Sequence, residues 1–295
     1  MTDSVSTPRS IPDLGPHAHK GAAGRVLAVC GSETMPGAAI LCVRAAQRAG
    51  AGLVTLACLA RNLTELVPLA APEAILSDLV DSRDLEAGRL PAPLLDASFH
   101  ASVVGCGLGM SGRTRTLVDL LLEHFEGPLV LDADGLNVVV DRIDALHAYR
   151  GSLVVPPHPG EAARLLGRNI PSDRDGRVAC AKEISERSGA ICVLKGHESI
   201  VTDSERHFVN PSGNAGMATA GAGDVLAGML GAYLAWNEAS DARRDALDVV
   251  RSGVHLHGLA GDLAARAKGM RGVIASDLID FLPAAQLSLL RDEGA

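Results

Sequence analysis

A glycine-rich segment directly before a helical pattern is the part of the sequence best suited to chemistry. It covers residues 214–228 and contains Gly221, Ala222 and Gly223 immediately before Asp224. Because the first N–H groups of a helix are unpaired and the helix dipole is positive there, this segment can hold an anion. An aspartate beside a bound anion can act as the general base for a substrate hydroxyl. The alternative is that Asp224 is only a helix cap, a common position for aspartate.

Two further segments follow apolar runs that we predict to be strands. Lys195 and Gly196 follow one of them, where the lysine could meet a nucleotide phosphate or simply lie in solvent. The order GxxxxGK[ST] is absent, so the segment is not a Walker A loop. His158 follows another run and precedes Pro159 and Glu161, which suit the first and third positions of a helix. His158 is then either a structural cap or a side chain directed at the strand ends.

Other polar or glycine-rich segments also follow predicted strands. Residues 105–109 contain three glycines and offer backbone groups to a ligand, although the pattern is not GxGxxG. Asp132 and Asp134 could bind a metal ion, directly or through water, or form a turn with their own backbone. His255 and His257 lie on different faces of a predicted helix, so we interpret them as packing residues.

Six short apolar runs predict the strands of a parallel sheet that is covered on both faces. They are residues 26–30, 53–57, 102–104, 129–131, 153–155 and 191–194, with a hairpin predicted over 199–203 and 206–209. Helical patterns cover residues 37–50, 113–125, 173–188, 222–236, 241–268 and 275–291. This order predicts one doubly wound α/β domain with a mainly parallel sheet and helices on both faces. The carboxyl ends of parallel strands share one edge, so the candidate residues should converge there.

Composition and charge narrow the function further. The chain has 295 residues and a net charge of −8, which argues against nucleic acid as a partner. Its 6 cysteines form no CxxC pair, and we expect them to be reduced and buried. We see neither a signal peptide nor an apolar stretch that could span a bilayer, so we expect a cytoplasmic protein with no membrane partner. Residues 1–20 predict a flexible leader and residues 21–295 a single domain.

Taken in order, these motifs resemble those of the ADP-dependent NAD(P)H-hydrate dehydratases, which have the ribokinase-like fold. The resemblance runs from about residue 20 to residue 285. It is carried by residues 35–39, 105–109, 131–137, 158–161, 195–196 and 210–228, and by the closing segments 257–262 and 275–279. The chain is similar to the bacterial stand-alone form, without the epimerase domain that is fused to some relatives.

The resemblance implies repair of hydrated NADH and NADPH of the S epimer. ADP would phosphorylate the C6 hydroxyl of the damaged nicotinamide ring, and elimination of phosphate would restore NAD(P)H and leave AMP. The family also implies Mg²⁺, held largely by phosphates and water, so that no residue is assigned directly as a metal ligand. A homotetramer is a further expectation from the family.

The same resemblance assigns roles to individual residues. Asp224 matches the catalytic aspartate that takes the hydroxyl proton, and the amides of residues 221–223 would hold the transferred phosphoryl group. The expected contacts of the hydrate are Ala38, Gly109, His158, Pro159, Gly160, Glu161 and Asp224. The expected nucleotide-binding residues are Lys195, Gly196, His197, Glu198, Ser199, Asn214, Gly221, Ala222 and Gly223.

The chain departs from the family pattern at a few positions, and two other functions stay open. Cys106 stands where proline is usual, Gly135 where alanine is usual, Ser199 where threonine is common and Ala222 where serine or threonine is frequent. A ribokinase-like kinase of a small alcohol, such as hydroxymethylpyrimidine kinase, needs the same anion loop and the same aspartate. A nucleotide-binding regulatory module without turnover would be expected to lack the base, yet Asp224 is present.

Overall fold

A nine-stranded sheet runs through the described part of the chain, which in this computed structural model comprises residues 19–94 and 98–292. The strands are β1 Arg25–Val29, β2 Leu53–Cys58, β3 Ile75–Asp78, β4 Ala101–Val104, β5 Leu129–Leu131, β6 Leu153–Val155, β7 Ile191–Leu194, β8 Ile200–Thr202 and β9 His207–Val209. Their spatial order is β3-β2-β1-β4-β5-β6-β7-β8-β9, parallel from β3 to β7 and antiparallel for the last two pairs. The predicted leader lies outside the described residues except for positions 19 and 20.

The described residues also form ten α-helices. They are α1 Pro36–Arg48, α2 Arg61–Ala70, α3 Arg83–Glu86, α4 Gly112–His124, α5 Ala133–Asn137, α6 Pro159–Leu166, α7 Arg174–Ser188, α8 Ala222–Ala239, α9 Ala246–Lys268 and α10 Ala275–Asp292. Short 3-10 segments cover Ala92–Leu94, Val140–Ala148, Ala215–Met217 and Met270–Gly272. Within the described ranges, none of the helices combines the length and apolar character needed to cross a membrane.

Alternate residues of the strands face two hydrophobic cores on opposite sides of the sheet. In β1, Val26 and Ala28 belong to one core, whereas Leu27 and Val29 belong to the other. Helices α1, α2, α8, α9 and α10 cover the first core, and α3 to α7 cover the second. Burial on both faces explains why these strands are continuous apolar runs in the sequence. The predicted doubly wound, mainly parallel fold is confirmed.

Most predicted elements are confirmed, and the exceptions have local causes. The six predicted strands and the hairpin are present, but β3, α2 and the short helices α3 and α5 were not predicted. Strand β3 is half exposed and pairs with β2, so its residues do not form a continuous apolar run. Helix α2 contains Pro68, a residue that argues against a helix in the sequence. The predicted helix over 241–268 begins only at Ala246, because Asn237 accepts a hydrogen bond from the Arg244 N–H at 2.8 Å and holds the preceding residues in a turn.

The strand order reverses between β1 and β4, which lie side by side in the sheet. In open α/β sheets, ligands bind outside the carboxyl ends of the strands at such a reversal. The backbone ties the two strand exits together here, since the Gly31 N–H donates to the Cys106 carbonyl at 2.8 Å. The Gly105 N–H donates to the Val29 carbonyl at 3.0 Å. The segments that follow β1 and β4 are therefore held side by side at the edge where a ligand is expected.

Helices α1 and α8 approach each other so closely that one contact requires glycine. A Cβ atom on Gly228 would lie 2.1 Å from the Cys42 carbonyl oxygen and 3.1 Å from the Ala45 Cβ. The first of these neighbours is backbone in the middle of α1, so it cannot move aside without shifting the whole helix. This contact sets how far α8 lies from α1.

Replacing Gly228 with alanine should therefore destabilise the protein by roughly 2 kcal/mol, the usual cost of forcing an extra methyl group into a packed contact. The free energy of unfolding can be measured from urea denaturation. Gly112→Ala is the matched control, because no atom lies within 4 Å of a Cβ at this first position of α4. The control should change stability by no more than about 0.5 kcal/mol. Equal effects of the two substitutions would contradict the proposed contact.

Candidate active site

The glycine-rich segment forms a tight turn that opens into α8. Gly221 precedes the helix with φ of 89°, a left-handed conformation that favours glycine. A Cβ atom on Gly221 would lie 2.4 Å from the Leu41 Cδ1 atom, so another residue here would have to displace the Leu41 side chain. The first N–H groups of α8 have no partners within the helix, and the positive end of this 18-residue helix lies at the turn. The turn thus has the form of an anion site.

A partly buried histidine contacts the first residue of this helix. The His257 Nε2 atom lies 2.9 Å from the Ala222 carbonyl oxygen, which is the first residue of α8. Burial lowers the pKa of His257 to about 4, so the imidazole is neutral and its Nε2–H can donate to the carbonyl. Interpreting His257 as a packing residue was therefore incomplete. The motif over residues 257–262 was visible in the sequence, but the partner of the imidazole was not.

Lys195 lies at the centre of a buried cluster of charges. Its Nζ atom is 2.9 Å from the Asp132 Oδ1 atom and 3.8 Å from the Glu161 Oε2 atom. The lysine side chain is 17% exposed and those of the two acids are 2% and 5% exposed, so water screens these charges poorly. Burial by itself would lower the pKa of Lys195, but the two carboxylates outweigh it and keep the pKa above its ordinary value. The lysine therefore carries a full positive charge.

The Lys195 ammonium group also borders the anion turn. A Cβ atom on Gly223 would lie 3.4 Å from the Lys195 Nζ atom. The lysine was expected either to meet a phosphate or to lie in solvent, and the structure places it in a buried position beside the start of α8. Asp132 was expected to bind metal or to form a turn, and it does accept the Ala133 N–H at 2.8 Å. Its ion pair with Lys195 was missed, because no short-range pattern links residues 63 positions apart.

Asp224 lies in the first turn of α8 next to these groups. Burial raises the pKa of Asp224 to about 7, and the neighbouring Cys30 sulfur and Asp132 carboxylate act in the same direction. A hydrogen bond from Cys106 and the charge of Lys195 act against this rise. A carboxylate with a pKa near neutrality can accept a proton from a hydroxyl and release it again. The position of Asp224 next to Lys195 and the anion turn suits this role.

The predicted helix start at Pro159 is present and is capped by its own residues. The His158 Nδ1 atom accepts the Gly160 N–H at 2.9 Å and the Glu161 N–H at 3.3 Å. The Glu161 Oε2 atom accepts the His158 N–H at 2.7 Å, which completes a reciprocal capping box. Glu161 therefore joins the start of α6 to the Lys195 cluster. The His158 side chain is 51% exposed, so its outer edge is accessible to a ligand.

The loop after β4 packs against the start of α1. A Cβ atom on Gly107 would lie 2.6 Å from the Ala38 Cβ, so the Gly107 backbone packs directly against the Ala38 side chain. The Gly109 N–H donates to the Asp134 Oδ2 atom at 2.7 Å, so this acid supports the loop. Two positions expected to contact a substrate, Ala38 and Gly109, thus lie in one structural unit.

The remaining candidate residues make local contacts at the edge of this region. Glu198 pairs with Arg174 at 2.7 Å and has a left-handed φ of 53°. The Ser199 hydroxyl donates to the Gly196 carbonyl at 3.1 Å, and the His197 carbonyl accepts from Arg177. Asn214 donates to Asp262 at 2.8 Å and caps the 3-10 turn of the glycine-rich segment. Asp262, the last residue of the 257–262 motif, was not assigned a role from the sequence.

Comparison with known proteins identifies close relatives of this arrangement. Residues 26–284 match the family model described as NAD(P)H-hydrate dehydratase. The bifunctional NAD(P)H-hydrate repair enzyme Nnr of Moorella thermoacetica is 40% identical over 287 residues, which cover 92% of this chain and 51% of that protein. The ADP-dependent (S)-NAD(P)H-hydrate dehydratase of Neisseria meningitidis serogroup B is 38% identical over 267 residues, which cover 88% of this chain and 84% of that protein. The chain spans about half the length of the bifunctional relatives it matches.

Solved structures show the same architecture. An ADP/ATP-dependent NAD(P)H-hydrate dehydratase from Bacillus subtilis, co-crystallised with ATP and Mg²⁺, superposes with a TM-score of 0.79 at 27% identity. The superposition covers 95% of this chain and 94% of that one. A hydroxyethylthiazole kinase from Pyrococcus horikoshii has a TM-score of 0.59 at 16% identity, which is a likeness of fold alone.

The raised pKa of Asp224 has a consequence for stability that can be measured. Its pKa is about 7 in the folded protein and near 3.8 ordinarily, so the folded state binds the proton more tightly. Ionisation of Asp224 above about pH 7 therefore lowers the free energy of unfolding. This loss of stability becomes smaller as the pH falls from about 7 toward about 4. Asp224→Asn should be more stable than the wild type at about pH 8 by on the order of 1–3 kcal/mol.

The measurement is urea unfolding of both proteins across this pH range. The difference in the free energy of unfolding between the two proteins should become smaller as the pH falls. A difference that does not change with pH would contradict the raised pKa of Asp224. Asp241→Asn, at an exposed position, is the control, and its free energy of unfolding should stay within about 0.5 kcal/mol of the wild-type value.

Proposed function

The chain belongs to the NAD(P)H-hydrate dehydratase family, and we propose that it dehydrates the S epimers of hydrated NADH and NADPH with ADP as phosphoryl donor. In this reaction the β-phosphoryl group of ADP moves to the C6 hydroxyl oxygen, and Asp224 takes the hydroxyl proton. Phosphate then leaves with that oxygen, and a proton is lost from the adjacent ring carbon. The products are NADH or NADPH, AMP and phosphate.

The observation that carries this proposal is the meeting of a base, a cation and an anion site at one edge of the sheet. Asp224 has a pKa of about 7, which suits removal of a proton near neutral pH. Lys195, beside Gly223, supplies positive charge in a poorly solvated place, where charge stabilises a phosphoryl group most. The N–H groups at the start of α8 add oriented donors to the same group.

Around this centre we assign the residues that hold the two ligands. For the nucleotide we propose Lys195, Gly196, His197, Glu198, Ser199, Asn214, Gly221, Ala222 and Gly223. For the hydrate we propose Ala38, Gly109, His158, Pro159, Gly160, Glu161 and Asp224. The contact between Gly107 and Ala38 supports one shared hydrate surface, and the exposed edge of His158 gives it a polar group.

The names of the relatives support the choice of co-substrate and ion. The Neisseria protein is named ADP-dependent, and the Bacillus protein was co-crystallised with ATP and Mg²⁺. We propose that this chain also uses Mg²⁺, because Asp132 and Glu161 place carboxylate oxygens beside the anion site, and oxygen is the ligand that Mg²⁺ takes. These residues would hold the ion through its water, with the nucleotide phosphates as its main ligands. When bound, the ion would neutralise charge on the phosphates.

The proposed function also includes the domain organisation, the cellular location and the assembly of the protein. We propose a single catalytic domain over residues 21–295 in a cytoplasmic protein that forms a homotetramer, as the family resemblance implies. Light scattering after size-exclusion chromatography measures the assembly, and a mass of one chain would contradict the tetramer.

The activity can be tested directly with purified protein, NADPH hydrate, ADP and Mg²⁺. We expect the near-ultraviolet absorbance of the reduced nicotinamide to recover, with AMP and phosphate released in equal amounts. The alternative is a kinase of a small alcohol, which the likeness of fold to the Pyrococcus kinase keeps in view. Accumulation of a phosphorylated alcohol such as hydroxymethylpyrimidine phosphate, without recovery of NADPH, would favour that alternative.

The role of Asp224 can be separated from its contribution to binding. Asp224→Asn should lower turnover about 10²- to 10⁴-fold, because removal of a general base costs this much. Its dissociation constant for ADP, measured by calorimetry, should change by less than about tenfold, or 1.4 kcal/mol. Asp241→Asn, exposed after α8, is the control and should keep wild-type turnover. Wild-type rates in Asp224→Asn would rule out the carboxylate as the base.

A further inference from the structure

Three cysteine side chains from different parts of the chain meet beneath the candidate active site. Cys30 follows β1, Cys42 lies in the middle of α1, and Cys106 follows β4. All of these thiols are fully buried, and their sulfur atoms lie within 4.8 Å of one another. The Cys30 and Cys42 sulfurs are 3.8 Å apart. The sequence led us to expect reduced, buried cysteines, which the structure confirms, but it gave no sign that three of them converge.

The backbone holds the three thiols in fixed positions. The hydrogen bond from Gly31 to the Cys106 carbonyl ties the residue after Cys30 to the loop after β4. Cys42 is fixed by its carbonyl, against which Gly228 packs in the close contact between α1 and α8. Fixed ligand positions lower the cost of ordering them around an ion. The cluster is therefore organised before any ion arrives.

The spacing of the sulfurs suits a soft metal ion. In a tetrahedral zinc site, bonds of ~2.3 Å from zinc to sulfur place neighbouring sulfurs about 3.8 Å apart. The distance between Cys30 and Cys42 already has this value, and Cys106 lies within a small adjustment of it. Thiolates select zinc and related soft ions over Mg²⁺, which prefers oxygen. The cluster is thus chemically distinct from the oxygen-rich site proposed for Mg²⁺.

Asp224 acts on the cluster through its charge, and Cys30 raises the pKa of its carboxyl. Among the described residues, however, only the three cysteines place their ligand atoms within 4.8 Å of one another. Asp224 and Gly228 are four residues apart, hence on the same face of α8, the face that packs on Cys42. The negative charge of three thiolates would be offset by the ion, by Lys195 and by the positive end of α8.

We propose that Cys30, Cys42 and Cys106 bind one soft divalent ion of the zinc class through their three sulfur atoms. Each thiol loses its proton to solvent as its sulfur binds the ion. Binding of the ion does not depend on the proposed dehydratase function.

The test is a titration of the full chain with Cd²⁺, a spectroscopic probe for zinc sites, without oxygen and with a phosphine reductant. We expect the ultraviolet charge-transfer absorption of cadmium thiolates to saturate at one ion per chain. Cys106→Ala and Cys42→Ala should each weaken binding at least about 100-fold, because loss of a direct ligand exceeds the 10- to 100-fold cost of losing a supporting contact. Cys192→Ala is the matched control, since Cys192 is equally buried but lies in the other core.

Several outcomes would overturn the site. One is the absence of cadmium-thiolate absorption in the wild type. Another is a Cys106→Ala variant that binds Cd²⁺ as tightly as the wild type, and a third is a Cys192→Ala variant that loses as much affinity as the cluster variants. Circular dichroism checks that each variant is folded, and having two cluster variants keeps the test valid if one unfolds. If no dehydratase activity exists, the absorption experiment still decides whether the ion binds.

Discussion

A buried lysine shared by two carboxylates is the interaction on which the rest of the site depends. Lys195 follows β7, Asp132 follows β5 and Glu161 lies in the helix that follows β6, so the cluster joins three neighbouring strand exits. Removal of such charges from water is unfavourable, and loss of one partner from a buried pair lowers the stability of the folded protein by about 3–5 kcal/mol. The strands can therefore end at this edge only in an arrangement that keeps all three groups together.

The position of this charge cluster determines what the neighbouring turn can do. The ammonium group lies beside Gly223, so the positive end of α8 and the lysine act on the same volume. A carboxylate in this region feels both burial and the charge of Asp132, which together raise the pKa of Asp224. The poorly solvated surroundings of the cluster make its burial unfavourable. For the same reason they strengthen the electrostatic attraction between the cluster and a phosphate. Stability and chemistry thus have a common physical origin here.

Close packing of small residues provides the second constraint. Gly228 allows α8 to approach the Cys42 carbonyl, and Gly107 allows the loop after β4 to approach Ala38. These contacts place the start of α8, the start of α1 and the loop after β4 around one space at the reversal of strand order. They also bring Cys30, Cys42 and Cys106 together. A chain with few aromatic residues can pack its elements this tightly because most buried residues of the first core are alanine or valine.

The sequence alone determined the strand and helix order, the anion turn before Asp224 and the cap at His158, because each depends on neighbours within a few positions. It did not reveal β3, since a half-exposed edge strand lacks a strong apolar pattern. Only the tertiary structure decided that Asp132 pairs with Lys195, that His257 supports Ala222 and that three cysteines converge. These contacts join residues far apart in the chain. Their geometry follows from the order of strands in the sheet and from the approach of α8 to α1, which no local pattern encodes.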